Sequence, residues 1–218
     1  MVRTIKKAEE RRSEIIEVAC DIFLKKGYEK TTMQEIIDGV GIAKGTIYHH
    51  FPSKDQLLDG VLDWIVTGYM GELEKNLANL QGNSLERMQQ LIIRGADHDG
   101  SKDEMIDHLH QPGNSGMHIR LLAKMVTRQA PIYAKLIEEG CREGLFNTAH
   151  PLECAEFLFS AVQFLTDMGV YEWSRSDLER RIIAFPELIE RQLGAPAGSF
   201  KFLHELITTQ DDHSQQQG

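Results

Sequence analysis

Lys44, Gly45, Thr46, Tyr48, His49 and His50 crowd into seven consecutive positions. No other stretch of the chain is so well equipped to read a nucleic acid. A lysine can donate to guanine O6 or N7, a threonine can meet a thymine methyl, and a glycine lets the backbone approach closely. Ile47 and Phe51 lie four apart, so on a helix beginning near Lys44 they turn inward together. Lys44, Gly45, Thr46, Tyr48 and His49 then lie on or near the outer face, with His50 at its flank. What must position this face lies just upstream. Thr32 and Glu35 have the spacing of a capping box, which starts a helix at Met33 with Ile36, Ile37 and Val40 on its apolar side. Gly41 supplies a turn residue that accepts positive φ, and Ile42 can anchor that turn. Two short helices joined in this way present the second to the major groove of DNA.

The segment 31–54, TTMQEIIDGVGIAKGTIYHHFPSK, resembles the DNA-binding signature of the tetracycline-repressor (TetR) family. The resemblance covers about 12–62. It includes the helix stop at Gly27 and Tyr28, the cap at Thr31 and Thr32, the Gly41 turn and the run from Tyr48 through His50 and Phe51 to Lys54. It implies that Thr32, Tyr48, His50 and Lys54 contact phosphates, and that Lys44, Gly45, Thr46 and His49 face bases. Two positions depart from the pattern. Ala43 stands where the family usually places a capping Ser or Thr, a loss of about 1 kcal/mol. Gly39 stands where Ala is common. Beyond Leu62 the resemblance is one of architecture.

The composition fits this reading once its distribution is considered. The formal net charge is −9, yet residues 1–54 carry ten Lys/Arg against eight Asp/Glu, a balance of +2. The excess acid lies in the remainder, which should turn the N-terminal end toward DNA. Arg3, Lys6 and Lys7 are candidates for an arm on phosphate or in the minor groove. A hydrophobic fraction of 41% can fill a core, and no apolar run reaches the roughly 18 residues of a membrane span. The N-terminus is charged rather than signal-like, which points to the cytoplasm. Cys20, Cys141 and Cys154 are widely spaced, and Cys20 and Cys154 sit among apolar residues as buried thiols would.

Helical periodicity runs through the whole chain and implies an all-α protein. The resemblance implies an N-terminal three-helix helix-turn-helix domain at 1–53, then an antiparallel helical bundle at 54–207 for ligand binding and dimerisation. Residues 208–218 read as a disordered tail. The pattern predicts a helix opened by Ser53 and Gln56 and reaching about Leu80, and a short one over 102–110. A helix over 117–128 should end before Pro131, which should open another to about Glu143. Helices over 151–171 and 176–193 follow, the latter broken or kinked at Pro186. Phe200, Leu203, His204 and Ile207 suggest a small extra helix.

Large flexible and aromatic residues, Trp64, Met105, Leu121, Met125, Tyr133, Phe164 and Met168, with His108 and His118 for orientation, are the expected lining of a pocket for an apolar or amphipathic small molecule. Leu158, Ala161, Val162 and Leu165 form one apolar face, with Phe157 and Phe164 on another. A helix apolar on two sides is buried on two sides, either at the centre of a monomeric core or shared between its own core and a partner subunit. The resemblance implies the second, a homodimer contact made by the last two large helices, 151–171 and 176–193. His98, His108, His110 and His118 invite a metal reading, but His108 and His110 are two apart and diverge on a helix, so no metal, cofactor or catalytic residue is assigned. There is no P-loop, GxSxG or GxGxxG. The partners implied are an operator duplex, a second copy and an effector, without a membrane. The whole reads as a non-enzymatic, homodimeric transcriptional repressor. The rival is a protein of the same fold that acts without an effector.

Overall fold

The computed structural model describes residues 8–96 and 100–204. Among them are nine helices and no strand: α1 Ala8–Lys26, α2 Met33–Val40, α3 Lys44–His50, α4 Lys54–Ala78, α5 Ser84–Ala96, α6 Gly100–Leu109, α7 Ser115–Glu143, α8 Pro151–Leu165 and α9 Arg175–Leu193. The chain falls into two compact units, Met1–Gly68 with Gly100–Lys124, and Tyr69–Asp99 with Met125–Gly218. The expected arm at Arg3, Lys6 and Lys7 and the tail at 208–218 lie outside the described residues.

In the first unit, Ile15, Ile16, Ala19, Cys20 and Phe23 of α1 are buried with Ile36 and Ile37 of α2, Ile47 of α3, and Leu57, Leu58, Val61 and Leu62 of α4. Burial pushes the Cys20 thiol up to about 11, so it behaves as a small apolar side chain. α1 stops at Gly27, whose φ of +96° only glycine adopts without strain. The turn that follows is gripped from two sides. The Asn114 amide, fully buried, accepts from the Tyr28 N–H (2.8 Å) and donates to the Leu24 carbonyl (3.2 Å) and to the His108 carbonyl (2.9 Å). Glu29 N–H donates to the Gly113 carbonyl (3.1 Å). From the start of α4, Lys54 Nζ donates to the carbonyls of Tyr28 (2.9 Å) and Thr31 (2.8 Å). α4 is joined to α7 by Arg120, which pairs with Asp55 (2.5 Å) and Asp59 (2.7 Å), and by Lys124 with Asp63 (2.6 Å).

In the second unit, α5 is capped reciprocally: Asn83 N–H donates to Glu86 and Glu86 N–H to Asn83 Oδ1. The Ser84 N–H donates to Glu143 at the end of α7, and Arg87 pairs with Glu139. α9 begins at the Ser174 cap and ends at Gly194 in the left-handed region. The chain beyond it is tied back. Phe200 is buried and its N–H donates to the buried Glu190 carboxylate (2.9 Å), while Gln89 donates to the Ser199 carbonyl (2.7 Å). Residues 202–204 are helical, at the edge of the described residues.

Three expected boundaries are corrected. α7 continues through Pro131 as one helix of 29 residues. Pro131 is exposed, so the helix carries the proline on its solvent side. α9 also continues through the buried Pro186 as one helix, so the expected break is absent there. α8 ends at Leu165 rather than near Tyr171, because Asp167 Oδ1 draws the N–H groups of Gly169 and Val170 into a turn (2.9 Å each).

Asn114→Ala leaves the buried Tyr28 N–H and two carbonyls without their side-chain partner. It is expected to lower unfolding free energy by about 2–3 kcal/mol in urea titration. An unchanged midpoint would show that the turn is held by other contacts.

Candidate nucleic-acid interface

The capping box at α2 forms as its spacing implies. Thr32 Oγ1 accepts from Glu35 N–H (3.3 Å), and Thr32 N–H donates to Glu35 Oε2 (2.8 Å). Lys26 pairs with Glu35, and Lys26 first, then the Thr32 N–H and hydroxyl, hold the Glu35 carboxyl down to about 2. Gly41 ends α2 at φ +70°, its N–H on the Ile37 carbonyl (2.9 Å). α3 then begins at Ala43, which contributes no side-chain cap. Its seven residues are fixed by Ile47, fully buried, and by Phe51 at its end. Lys44, Gly45, Tyr48 and His49 are exposed on the other side, and Thr46 and His50 are half-buried. Lys44 Nζ lies over the Tyr48 ring, 5.7 Å from its centroid. α3 therefore carries six polar or small side chains on a helix whose apolar anchors leave it no rotational freedom.

Two expected phosphate contacts have prior engagements. The Thr32 hydroxyl also donates to Glu35 (3.0 Å), so donor and acceptor are both used within the capping box. Lys54 is more deeply committed. Besides the Tyr28 and Thr31 carbonyls it approaches the Glu29 carbonyl (3.4 Å), and its ammonium sits 4.4 Å from the Tyr28 ring centroid. A phosphate would have to share this cation with the backbone it braces.

Residues that the sequence reading passed over enlarge the basic surface. The Arg12 guanidinium lies over the Phe51 ring at 5.0 Å. His50 meets His49 edge to face at 5.4 Å. Burial, then His49, Arg12 and Arg11, push the His50 imidazole below its usual range. Arg11 and Arg12 stand in the run EERRSE, which reads as an ordinary solvated helix start. Only the folded proximity of α1 to α3 reveals them.

The other expected sites are less gathered. Trp64, Met105, His108, His118 and Leu121 belong to the first unit, and Met125, Tyr133, Phe164 and Met168 to the second. His118, Leu121 and Tyr133 are buried, Met105, His108, Met125 and Phe164 are half-buried, and Trp64 and Met168 are exposed. Tyr133 packs edge-on against Phe159 at 4.7 Å, and burial raises its phenol. A groove of about 550 Å³ in the second unit is lined by Ile183, Pro186, Glu187, Glu190, Ala197, Gly198, Lys201 and His204, none of them among the nine expected. On α8, Leu158, Ala161, Val162 and Leu165 are all half-buried, whereas Phe157 is 62% exposed.

Comparison with known proteins agrees with the α2–α3 geometry. Residues 15–61 match the family of bacterial regulatory proteins described as tetR, and residues 99–188 match a tetracyclin repressor-like C-terminal domain. The HTH-type transcriptional repressor KstR2 of Mycobacterium tuberculosis is 30% identical over 160 residues, which cover 67% of this chain and 74% of that protein. The chain belongs to the TetR family. It is a DNA-binding transcriptional regulator, not an enzyme. The regulator TtgR of Pseudomonas putida is 41% identical over 61 residues, 28% of this chain and 29% of its own. Among solved structures, RolR in complex with resorcinol aligns at TM-score 0.59 and 18% identity, covering 91% of this chain and 93% of that one. A gamma-butyrolactone receptor aligns at 0.52 and 22%, covering 95% and 100%. These likenesses show the fold.

The His50 shift has a definite sign. Its folded pKa lies below the unfolded value, so the unfolded chain binds the extra proton first. Stability is lost as pH falls from about 6.5 through the folded pKa. A phosphate beside His50 reverses the preference, so DNA binding takes up a proton there. Affinity for a selected operator is expected to be higher at about pH 6 than at about pH 8. His50→Gln should remove that gain. A pH profile identical in wild type and His50→Gln would exclude the residue from the interface.

Proposed function

We propose that this TetR-family protein is a homodimeric, cytoplasmic repressor that binds an inverted-repeat operator and is released by a small apolar or amphipathic effector. The observation that carries the DNA half is the outer face of α3. Lys44, Gly45, Tyr48 and His49 stand exposed on a helix locked by Ile47 and Phe51. Lys44, Gly45, Thr46 and His49 are assigned to base edges, and Thr32, Tyr48 and His50 to phosphates, with Lys54 sharing its charge. Residues 1–53 act as the DNA-binding domain and 54–207 as the effector and dimerisation domain. Repression is supported by the name of the KstR2 relative. The effector is supported by a fold neighbour that holds resorcinol and another described as a gamma-butyrolactone receptor.

The dimer is assigned to α8 and α9. Leu152 and Phe157 on α8, and Ile183 and Leu188 on α9, are exposed apolar side chains on two helices that pack on each other. Such a surface suits a self-complementary contact between two copies. Two recognition helices would then meet half-sites about 34–36 Å apart. An effector that favours a different spacing lowers DNA affinity, and DNA lowers effector affinity by the same factor. No helix among the described residues is long and apolar enough to cross a membrane. The reading without an effector draws on the groove at α9, whose lining mixes Glu187, Glu190 and Lys201 with apolar groups and includes none of the expected pocket residues.

Operator binding separates the contact roles. Lys44→Ala and Tyr48→Ala are expected to weaken binding with the melting temperature little changed, since both side chains are exposed. Lys54→Met should weaken binding and also lower the melting temperature, because three carbonyls lose their donor. Full operator affinity in the Lys44→Ala, Tyr48→Ala double variant would overturn the α3 assignment.

The dimer has its own test. Phe157→Asp should give folded monomers in sedimentation, since the side chain is already largely exposed in one copy. Leu158→Glu, half-buried, should cost stability as well. Intact dimers in Phe157→Asp would move the interface elsewhere.

A further inference from the structure

We propose that His110 and His118 form a site for a divalent transition-metal ion, set across the α6–α7 turn that holds the DNA-binding domain. The two imidazoles stand face to face, ring centroids 5.0 Å apart and tilted by 41°, and each offers a ring nitrogen within 4.8 Å of the other's. A tetrahedral ion with metal–nitrogen bonds of about 2.0–2.1 Å spans two such nitrogens by about 3.4 Å. Small rotations of the two side chains close that gap.

The backbone makes the pairing. His110 follows the end of α6, its N–H on the Ile106 carbonyl (3.0 Å), and His118 lies in the first turn of α7, its N–H on the Asn114 carbonyl (2.8 Å). The turn between them reverses the chain and brings i and i+8 together. In sequence, His108 and His110 look like the nearer pair, but the fold separates their uses: His108 gives its carbonyl to Asn114 and lies near Glu104. His118 is only 5% exposed, so its imidazole is held in one place by packing, as a ligand should be. Two imidazoles, with water completing the shell, select Zn²⁺, Co²⁺, Ni²⁺ or Cu²⁺ over Mg²⁺ and Ca²⁺, which prefer oxygen.

The position gives the ion a consequence. Gly113 and Asn114, inside the chelated turn, are the residues that hold Glu29, Tyr28 and Leu24. Drawing His110 toward His118 moves the anchor of the turn before α2. Operator affinity therefore responds to the metal. This second half rests on the DNA-binding reading above, whereas ion binding stands without it.

The test begins with full-length protein stripped by chelator and titrated with ZnCl₂ by calorimetry, with Co²⁺ absorption as a parallel readout. One tight ion per chain is expected. Its affinity should fall about tenfold or more in His110→Ala and in His118→Gln, and should be unchanged in His150→Ala, an exposed histidine of the second unit. Because His118 is buried, His110→Ala is the deciding variant. Zinc bound by His110→Ala as tightly as by wild type, or no saturable uptake by wild type, overturns the site. In DNA titrations Zn²⁺ should change operator affinity about fivefold or more in wild type and not in His110→Ala. The same response in both would overturn the coupling and leave the calorimetric result to stand or fall alone.

Discussion

At Gly27 the backbone turns to φ +96°, which requires glycine, and runs beside the backbone of Gly113, where a Cβ on Gly27 would sit at van der Waals distance, 3.4 Å from Gly113 atoms. That approach lets Asn114 and Gly113 reach the amides of Tyr28 and Glu29, and the same turn gives its carbonyls to Lys54. The entry to α2 is therefore fixed by groups from α4 and from the α6–α7 turn as well as by the capping box of α2 itself. α2 in turn positions α3 through Gly41. A buried amide with three partners, a cation with carbonyl partners and a glycine backbone contact make a junction with little tolerance.

Lys54 shows why family position and physical role need separate treatment. A lysine at the first residue of α4 faces DNA in the family pattern, and its position here is compatible with that. Yet its ammonium is already directed at Tyr28, Thr31 and Glu29 carbonyls and lies against the Tyr28 ring. A charged group that satisfies buried carbonyls contributes more to order than a solvent-exposed ion pair does. Thr32 is similar, its hydroxyl enclosed by Glu35. Tyr48 and Lys44, by contrast, are exposed, with the lysine lying over the tyrosine ring, which leaves both side chains on the solvent face.

Local rules in the sequence anticipate what local physics decides. The capping box at Thr32 and Glu35, the left-handed Gly41, the uncapped start at Ala43, and Ser53 accepting from Gln56 (3.1 Å) all depend on residues within four positions. A proline need not end a helix: Pro131 lies on an exposed surface and Pro186 is buried, and both helices continue. What could not be read is what depends on distance along the chain. Asn114 reaches Tyr28 across 86 residues, and Arg12 meets Phe51 across the core. The pocket lining has the same difficulty: Met and aromatic residues mark apolar volume, but volume can be core. Tyr133, packed on Phe159, shows how core and pocket draw on the same residue types.

The recognition helix is the element least able to form alone. It has seven residues, no side-chain cap, a lysine at the positive end of its dipole, and a glycine in its first turn. Isolated helices of this length are marginal in water even with good sequences. Its order comes from Ile47 and Phe51 being buried in the first unit, and Phe51 is roofed by Arg12 of α1. That dependence has a use. A helix stabilised by its neighbours rather than by its own sequence follows them when they move. The unfavourable lysine and the missing cap also leave amide donors and positive charge at the N-terminal end of α3, so in the proposed complex features that weaken the helix in the free protein would favour it beside a polyanion. The order of α3 thus depends on the packing of α1, α2 and α4, which the Asn114 contacts tie to the α6–α7 turn.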